Sequence, residues 1–555
     1  MVRSATRRRK SREQTAKKRA SLWEPSRRTR IILLLCIIAL FAVIRYRLRD
    51  MPLERDEGEY AYSGQLILQG VPPYKLAYNM KLPGTYAAYA IVMAALGQTP
   101  SGIHLGLLLL NSATIGLMYV FSAQLFGNLA GLVAAATYGL LSTSASVLGL
   151  QAHATHFVVF AAIAALIVLL RAVEQKRLGL FFLSGTLFGL AFMMKQPGIL
   201  FCGFAALYVL TRDWSGGNRV PLPIIRLGAL LGGITVPYAL TCIILWKTGV
   251  FGRFWFWTVS YARQYGTALS IKEGWEAFQA VFPGIIEHSV PIWMLAVVGA
   301  TAVGWYAEAR RHGFFLFGLL AFSFLAVCPG LYFRQHYFIL LLPALSLLAG
   351  VGVRATTSFL SNRTDSGLLL ALPGLAFLVL FAISLFSQQE LLFQMDPLSA
   401  LRSIYGPAQP FEQALAIGDY VRSHSQPSAR IAVLGSEPEI YFYAHRRSAT
   451  GYIYAYPLME KQRYSLAMQH EMVAEIETAR PEFVAFVKFP LSWLRGPESE
   501  DYLLNRMTQY LRDQYEVVGV AELQSPDHTE YRWDQEAISY ETISPYVIFL
   551  FRRRT

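Results

Sequence analysis

Residues 31–62 read IILLLCIIALFAVIRYRLRDMPLERDEGEYAY. The run 31–48 has the length and apolar character that suit a hydrocarbon core of ~30 Å. A few residues on, Asp56, Glu57 and Glu59 place three carboxylates within four positions, directly beside that span. They are either solvated charges at a membrane surface or the acid/base equipment of an enzyme that works there. The rest of the chain bears on the choice.

The protein has 555 residues, 54% of them hydrophobic and 15% charged. Its mean hydropathy is +0.36. A soluble globular chain carries about 25% charge. Further apolar runs fall at 103–126, 129–147, 153–170, 178–194, 198–211, 226–246, 289–306, 313–331, 336–353 and 367–387. The expectation is a multi-pass α-helical membrane protein of about eleven spans, with room for thirteen. The run 84–97 is too short for a span and reads as a re-entrant or juxtamembrane helix.

Loop charge gives the sides. Residues 1–30 hold twelve Lys or Arg against Glu13 and Glu24. The loops 171–177, 212–226, 307–312 and 354–363 are also basic. With 84–97 not crossing, all of these share one side, which the positive-inside rule makes cytoplasmic. The tail reads as an orienting, anionic-lipid-touching segment rather than a nucleic-acid arm, because no folded basic surface accompanies it. The acidic residues after 31–48 and the length of that run argue against a cleaved signal peptide. Cys36, Cys202, Cys242 and Cys328 all lie in apolar runs and read as small hydrophobes, not as a disulfide or metal framework.

After residue 388 the composition becomes mixed. Strands are expected at 430–436, 483–487, 515–520 and 546–551, and helices at 411–424, 459–478 and 499–513. The predicted organisation is a basic cytoplasmic tail over 1–30, a transmembrane domain over 31–387 with its first outer loop at 49–83, and a soluble extracytoplasmic α/β domain over 388–555.

With these sides assigned, the polar residues near membrane depth gather on the outer side: Asp56, Glu57, Glu59 and Lys81, then Gln151, His153 and His156, then Lys195 and Gln196, then Arg253, Tyr261, Arg263 and Tyr265, then Arg334 and His336. Ionisable groups at that depth are costly and usually line a cavity. Any one of them could be snorkelling to water. As a set they point to an outward site for an anionic, partly lipidic ligand.

Several stretches then resemble one group of proteins. Asp56-Glu57 followed by Tyr60, Gly70-x-x-Pro73-Tyr74 and Lys81-x-Pro83 resembles the first outer loop of protein O-mannosyltransferase-like and aminoarabinose-transferase-like enzymes, which are GT-C glycosyltransferases. Gly189 to Pro197, with Lys195-Gln196-Pro197, and Arg334-Gln335-His336-Tyr337 running into Leu342-Pro343-Ala344 look like two more of their segments. Val433 to Glu439 with Arg446-Arg447 is similar to the outer domain of some bacterial members. The likeness covers roughly 31–350. It departs in Lys81-Leu82-Pro83-Gly84, where relatives often carry Pro-Pro. It also departs in Gln151 to His156, which lacks the acid that relatives often have there.

The resemblance implies a GT-C-like fold and transfer of a sugar from a polyprenyl-phosphate donor to an acceptor hydroxyl, usually with inversion. It implies Asp56 as the base, with Glu57 orienting acceptor or loop; Glu59, read by itself, is expected on a solvated loop face. Donor phosphate falls to Lys81, Lys195, Arg334 and Arg263, since Arg grips phosphate in a fork and Lys acts as a point charge. Tyr60, His153, His156, Gln196, Tyr261, Tyr265 and His336 are expected in the substrate pocket. The resemblance fixes no cofactor. A divalent cation is the one candidate, on histidines of which His153 and His156 are spaced i, i+3. The aromatic-rich 251–265 stretch reads equally as an interfacial belt or a groove wall. The expected partners are the lipid-linked sugar, the bilayer and an acceptor that is protein, lipid or glycan. Competing readings are a lipid flippase, a non-catalytic scaffold, and a ligase using a pyrophosphate-linked glycan.

Overall fold

The structure, a computed structural model, describes residues 26–215 and 221–554. Most of the basic tail, and Arg219 in the 212–226 loop, therefore lie outside the described residues. Each of the eleven expected spans is helical over most of its length. Among the described residues, seven helices are long and apolar enough to cross a membrane, from Arg27–Arg47 to Gly367–Phe386, and Gly84–Leu96, Asn128–Leu141, Leu178–Met194 and Gly313–Val327 are shorter apolar helices.

One segment differs from expectation. The stretch 247–288, read as a loop, is largely helical: Phe251–Trp255, a π-helical turn at Phe256–Tyr261, Ala262–Gly266 and Ile271–Ile286. The last of these starts with a capping box, in which Ser270 and Glu273 exchange side-chain-to-backbone bonds. It leads through a 3-10 turn into Val290–Trp305.

The carboxylate-rich stretch is itself a helix, Arg55–Leu68, and its sequence explains why. The N-cap is Glu54, whose Oε1 accepts from the Glu57 amide at 2.8 Å, while Glu57 Oε2 accepts from the Glu54 amide at 3.4 Å. Asp56 and Glu57 in the first turn also complement the positive end of the helix dipole. Gly84–Leu96 packs beside this helix, with the Tyr60 ring against Tyr86 and Tyr89. At its start Thr85 Oγ1 donates to the Met194 carbonyl at 2.8 Å, which ties the end of Leu178–Met194, and hence Lys195, to the Lys81 loop.

The C-terminal segment carries one six-stranded mixed sheet, ordered β2-β1-β3-β6-β4-β5. Strands β1 (Arg430–Leu434), β3 (Phe483–Val487), β4 (Tyr515–Ser525) and β6 (Val547–Arg553) match the expected strands. Two went unread: β2, of only two residues (Arg447–Ser448), and β5 (His528–Trp533), whose polar residues hide its pattern. The sheet segment is not detached from the helices. Ile431, Val433, Tyr441 and Ile453 share one hydrophobic core with Leu53, Tyr60, Tyr62 and Tyr89.

Candidate active site

Asp56 is the one carboxylate of the 54–59 cluster with open surface, its side chain being 24% accessible. Glu57 and Glu59 are fully buried. The expectation of a solvated Glu59 is therefore corrected. It faces inward from the helix, accepts from Lys81 Nζ at 2.6 Å and from the Tyr86 hydroxyl at 2.5 Å, and so replaces water with two donors. Glu57 is spent on structure. It accepts from the Ala152 amide at 2.6 Å and lies 3.0 Å from His104 Nε2, which fixes the 150–153 junction onto the helix start.

Lys81 donates to Asp56 Oδ1 at 2.7 Å as well as to Glu59. Burial alone would raise the Asp56 carboxyl, but Lys81, His336, His153 and Lys195 together hold it well below the usual carboxylate range. Glu54, buried beside Asp56 and Glu57, is pushed well above that range. Two neighbouring carboxyls are thus driven apart, the anion being the accessible one. Two of the hydrogens of Lys81 are taken by carboxylates.

Lys195 and Arg334 differ from Lys81. Neither is ion-paired among the described residues. Lys195 Nζ sits 4.2 Å over the Tyr337 ring, and the Arg334 guanidinium 5.6 Å over the Tyr332 ring. Both act electrostatically on Asp56. Arg334 is exposed. Burial, only partly offset by Asp56 and reinforced by Lys81 and Arg334, brings Lys195 down to about 7. Arg263 is exposed on the short Ala262–Gly266 helix and forms no ion pair among the described residues.

The histidines rearrange the expected pairing. His153 stacks on His336 with ring centroids 4.3 Å apart, rather than sharing a site with His156. Asp56 Oδ2 lies 3.9 Å from His153 Nδ1 and 3.8 Å from His336 Nε2. Asp56, His153 and His336 each offer a ligand atom, all within 4.8 Å of one another. Neither ring nitrogen of His153 has a hydrogen-bond partner among the described residues, and His153 and His156 are both buried. Arg45 donates from the first span to the carbonyls of Ser142 and Gly149 at 2.8 and 2.9 Å, which ties the turn before the 150–153 junction to that span.

Of the remaining expected pocket residues, Tyr265 stacks on Tyr332 at 4.7 Å beside Arg334. Tyr261 is buried and donates to Glu460 at 2.6 Å. Gln196 donates to the Met80 carbonyl at 2.5 Å, and Tyr60 lies under Lys81, whose Nζ is 4.6 Å over the ring. The sequence reading missed Glu54, His104 and every contribution from the C-terminal segment. The Tyr454 hydroxyl reaches Asp56 Oδ1 at 3.2 Å, and Arg55 Nε donates to the Ser436 carbonyl at 2.6 Å. A capping-box reading of Glu54-x-x-Glu57 would have found the first. No local signal marks the others.

Residues 81–240 match the family model described as dolichyl-phosphate-mannose-protein mannosyltransferase. No curated protein matches the chain by sequence. Among solved structures it is similar to ArnT from Cupriavidus metallidurans bound to undecaprenyl phosphate, with a TM-score of 0.57 and 14% identity over 94% of this chain and 97% of that one. The archaeal oligosaccharyltransferase AglB from Archaeoglobus fulgidus, in complex with an inhibitory peptide and a dolichol-phosphate, gives 0.50 and 14% over 90% and 74%. The arabinofuranosyltransferase AftD from Mycobacteria gives 0.50 and 11% over 96% of this chain and 40% of that one. The chain has the fold of the GT-C glycosyltransferases, and over residues 81–240 it matches the dolichyl-phosphate-mannose-protein mannosyltransferase family.

Proposed function

We propose that the protein moves a sugar from a polyprenyl-phosphate donor to an acceptor hydroxyl on the extracytoplasmic face of the membrane, with inversion at the anomeric carbon. One observation carries this reading: an accessible Asp56, held anionic, lies within electrostatic reach of two cations, Lys195 and Arg334, neither of which is ion-paired among the described residues. The acceptor oxygen attacks the anomeric carbon as its proton passes to Asp56. The carbon–oxygen bond to phosphate breaks, and its electron pair leaves on the polyprenyl phosphate. Lys195 and Arg334 stabilise that departing charge. Support for the donor class comes from neighbours solved with undecaprenyl phosphate and with a dolichol-phosphate. Support for the sidedness comes from the basic loops opposite the site.

A divalent cation fits beside this apparatus. Asp56, His153 and His336 would hold it, since the two ring nitrogens of His153 are buried without hydrogen-bond partners among the described residues; the cation and the acceptor proton would then compete for Asp56 Oδ2. When bound it would supply further positive charge near the leaving phosphate. Chelation followed by metal analysis and activity assay decides whether it is resident.

The reading is tested with purified protein and a labelled polyprenyl-phosphate sugar. Wild-type protein should release polyprenyl phosphate, and Asp56→Asn should lower that rate by about 100-fold or more while remaining folded. Movement of intact label across vesicles without bond cleavage would instead identify a flippase.

A further inference from the structure

We propose that Tyr454, contributed by the C-terminal segment, is a positioning residue that fixes the plane of the Asp56 carboxylate and so aims its unbonded oxygen at the acceptor proton. The inference rests on the glycosyltransferase reading above and adds a residue to it.

The geometry at Asp56 is asymmetric. Oδ1 faces two donors, Lys81 Nζ at 2.7 Å and the Tyr454 hydroxyl at 3.2 Å. Oδ2 has no donor within hydrogen-bond distance among the described residues, and only the His153 and His336 rings approach it, at 3.9 and 3.8 Å. A carboxylate oxygen already accepting two bonds from such donors is the poorer base, so the free basicity is left on Oδ2. Tilting of the carboxylate plane would turn the free oxygen away from the acceptor, and Lys81, which is shared with Glu59, holds only one point of that plane. A second donor held by a separate element supplies another fixed point and restrains the tilt.

Tyr454 is such a donor. It is 7% accessible and lies 398 residues along the chain from Asp56. Its hydroxyl also faces the Arg55 carbonyl at 3.0 Å, so its single hydrogen is shared between the backbone of the helix and the carboxylate that the helix carries. The next residue is anchored, the Ala455 amide donating to Ser436 Oγ at 2.9 Å. Ser436 is held in turn by its carbonyl, which accepts from Arg55 at 2.6 Å. The hydroxyl is thus fixed relative to the first turn of Arg55–Leu68 by contacts that involve neither the donor cations nor the histidines. The sheet segment supplies part of the site's geometry.

Tyr454→Phe tests this, since it keeps the ring and removes the hydroxyl. The expected result is a kcat lower by about tenfold to a hundredfold, the scale of one hydrogen bond to a charged group, with the KM for a labelled polyprenyl-phosphate sugar unchanged. Tyr456→Phe, whose hydroxyl bonds the Leu491 carbonyl instead, should leave kcat at the wild-type value. Wild-type kcat in Tyr454→Phe overturns the proposal. So does a raised donor KM with unchanged kcat, or a loss of folded protein with unchanged kcat per folded molecule. If wild-type protein releases no polyprenyl phosphate, the glycosyltransferase reading itself falls and this inference falls with it.

Discussion

Arg55 and Glu437 form a buried ion pair, with Nη2 2.9 Å from Oε1, between the first-loop helix and the turn that follows β1. Glu437 is fully buried and also accepts from the Ser436 amide at 2.8 Å and Ser492 Oγ at 2.6 Å. Removing one partner strands the other charge. Glu437→Ala should therefore cost about 3–5 kcal/mol, seen as a lowered midpoint of thermal unfolding in detergent. The apolar pair Arg55→Met with Glu437→Leu should lose much less.

The same contact surface depends on the absence of a side chain. A Cβ on Gly58 would lie 2.7 Å from both Cβ and the backbone nitrogen of Glu439. Gly58→Ala should push the sheet segment from the helix at a cost of about 1–3 kcal/mol. Limited proteolysis should show faster cleavage between the two, and activity should fall although no charged group has been touched.

Lys81 and Lys195 should separate cleanly in kinetics. Lys81→Met leaves Asp56 and buried Glu59 without their shared cation. It should reduce kcat by about a hundredfold or more while destabilising the fold. Lys195→Met removes an unpaired cation and should weaken donor binding about tenfold or more, a loss consistent with one charge-assisted bond. Direct binding of polyprenyl phosphate distinguishes them. Equal loss of affinity in both would return Lys81 to the phosphate-binding group.

Donor binding should also depend on pH in a direction that Lys195 sets. Burial leaves this lysine titrating at about 7, so it is cationic below that pH and neutral above it. Affinity for polyprenyl phosphate should fall as pH rises through about 7, beyond any change due to the phosphate itself. Lys195→Arg keeps the charge at all these values and should flatten the curve. An unchanged slope in the arginine variant would exclude Lys195 as the source.

The helices, the main strands and much of the site's membership were legible because they follow from local pattern. Apolar runs of bilayer length announce spans wherever they pack. Lys195 and Arg334 stood out because a charge at a span's end is costly whatever surrounds it. Glu59 was misread because burial is not local: position on the helix puts it beneath Lys81, and nothing in RDEGEYAY says which face is covered. The pairing of His153 with His336 instead of His156 has the same origin, since the i, i+3 rule describes one helix and not what packs against it.

By itself the sequence determined that this chain is a bundle of membrane helices with a C-terminal sheet segment, and which side of each junction carries charge. Those properties arise from hydropathy and spacing over tens of residues. Only the tertiary structure decided that Glu57 is a brace, that Lys81 serves carboxylates, and that Tyr454 reaches Asp56. Each of these is a contact between segments about 20 to 400 residues apart along the chain. Hydrogen bonds at such separations depend on how packed elements meet in space, which leaves no periodicity in the residues between them.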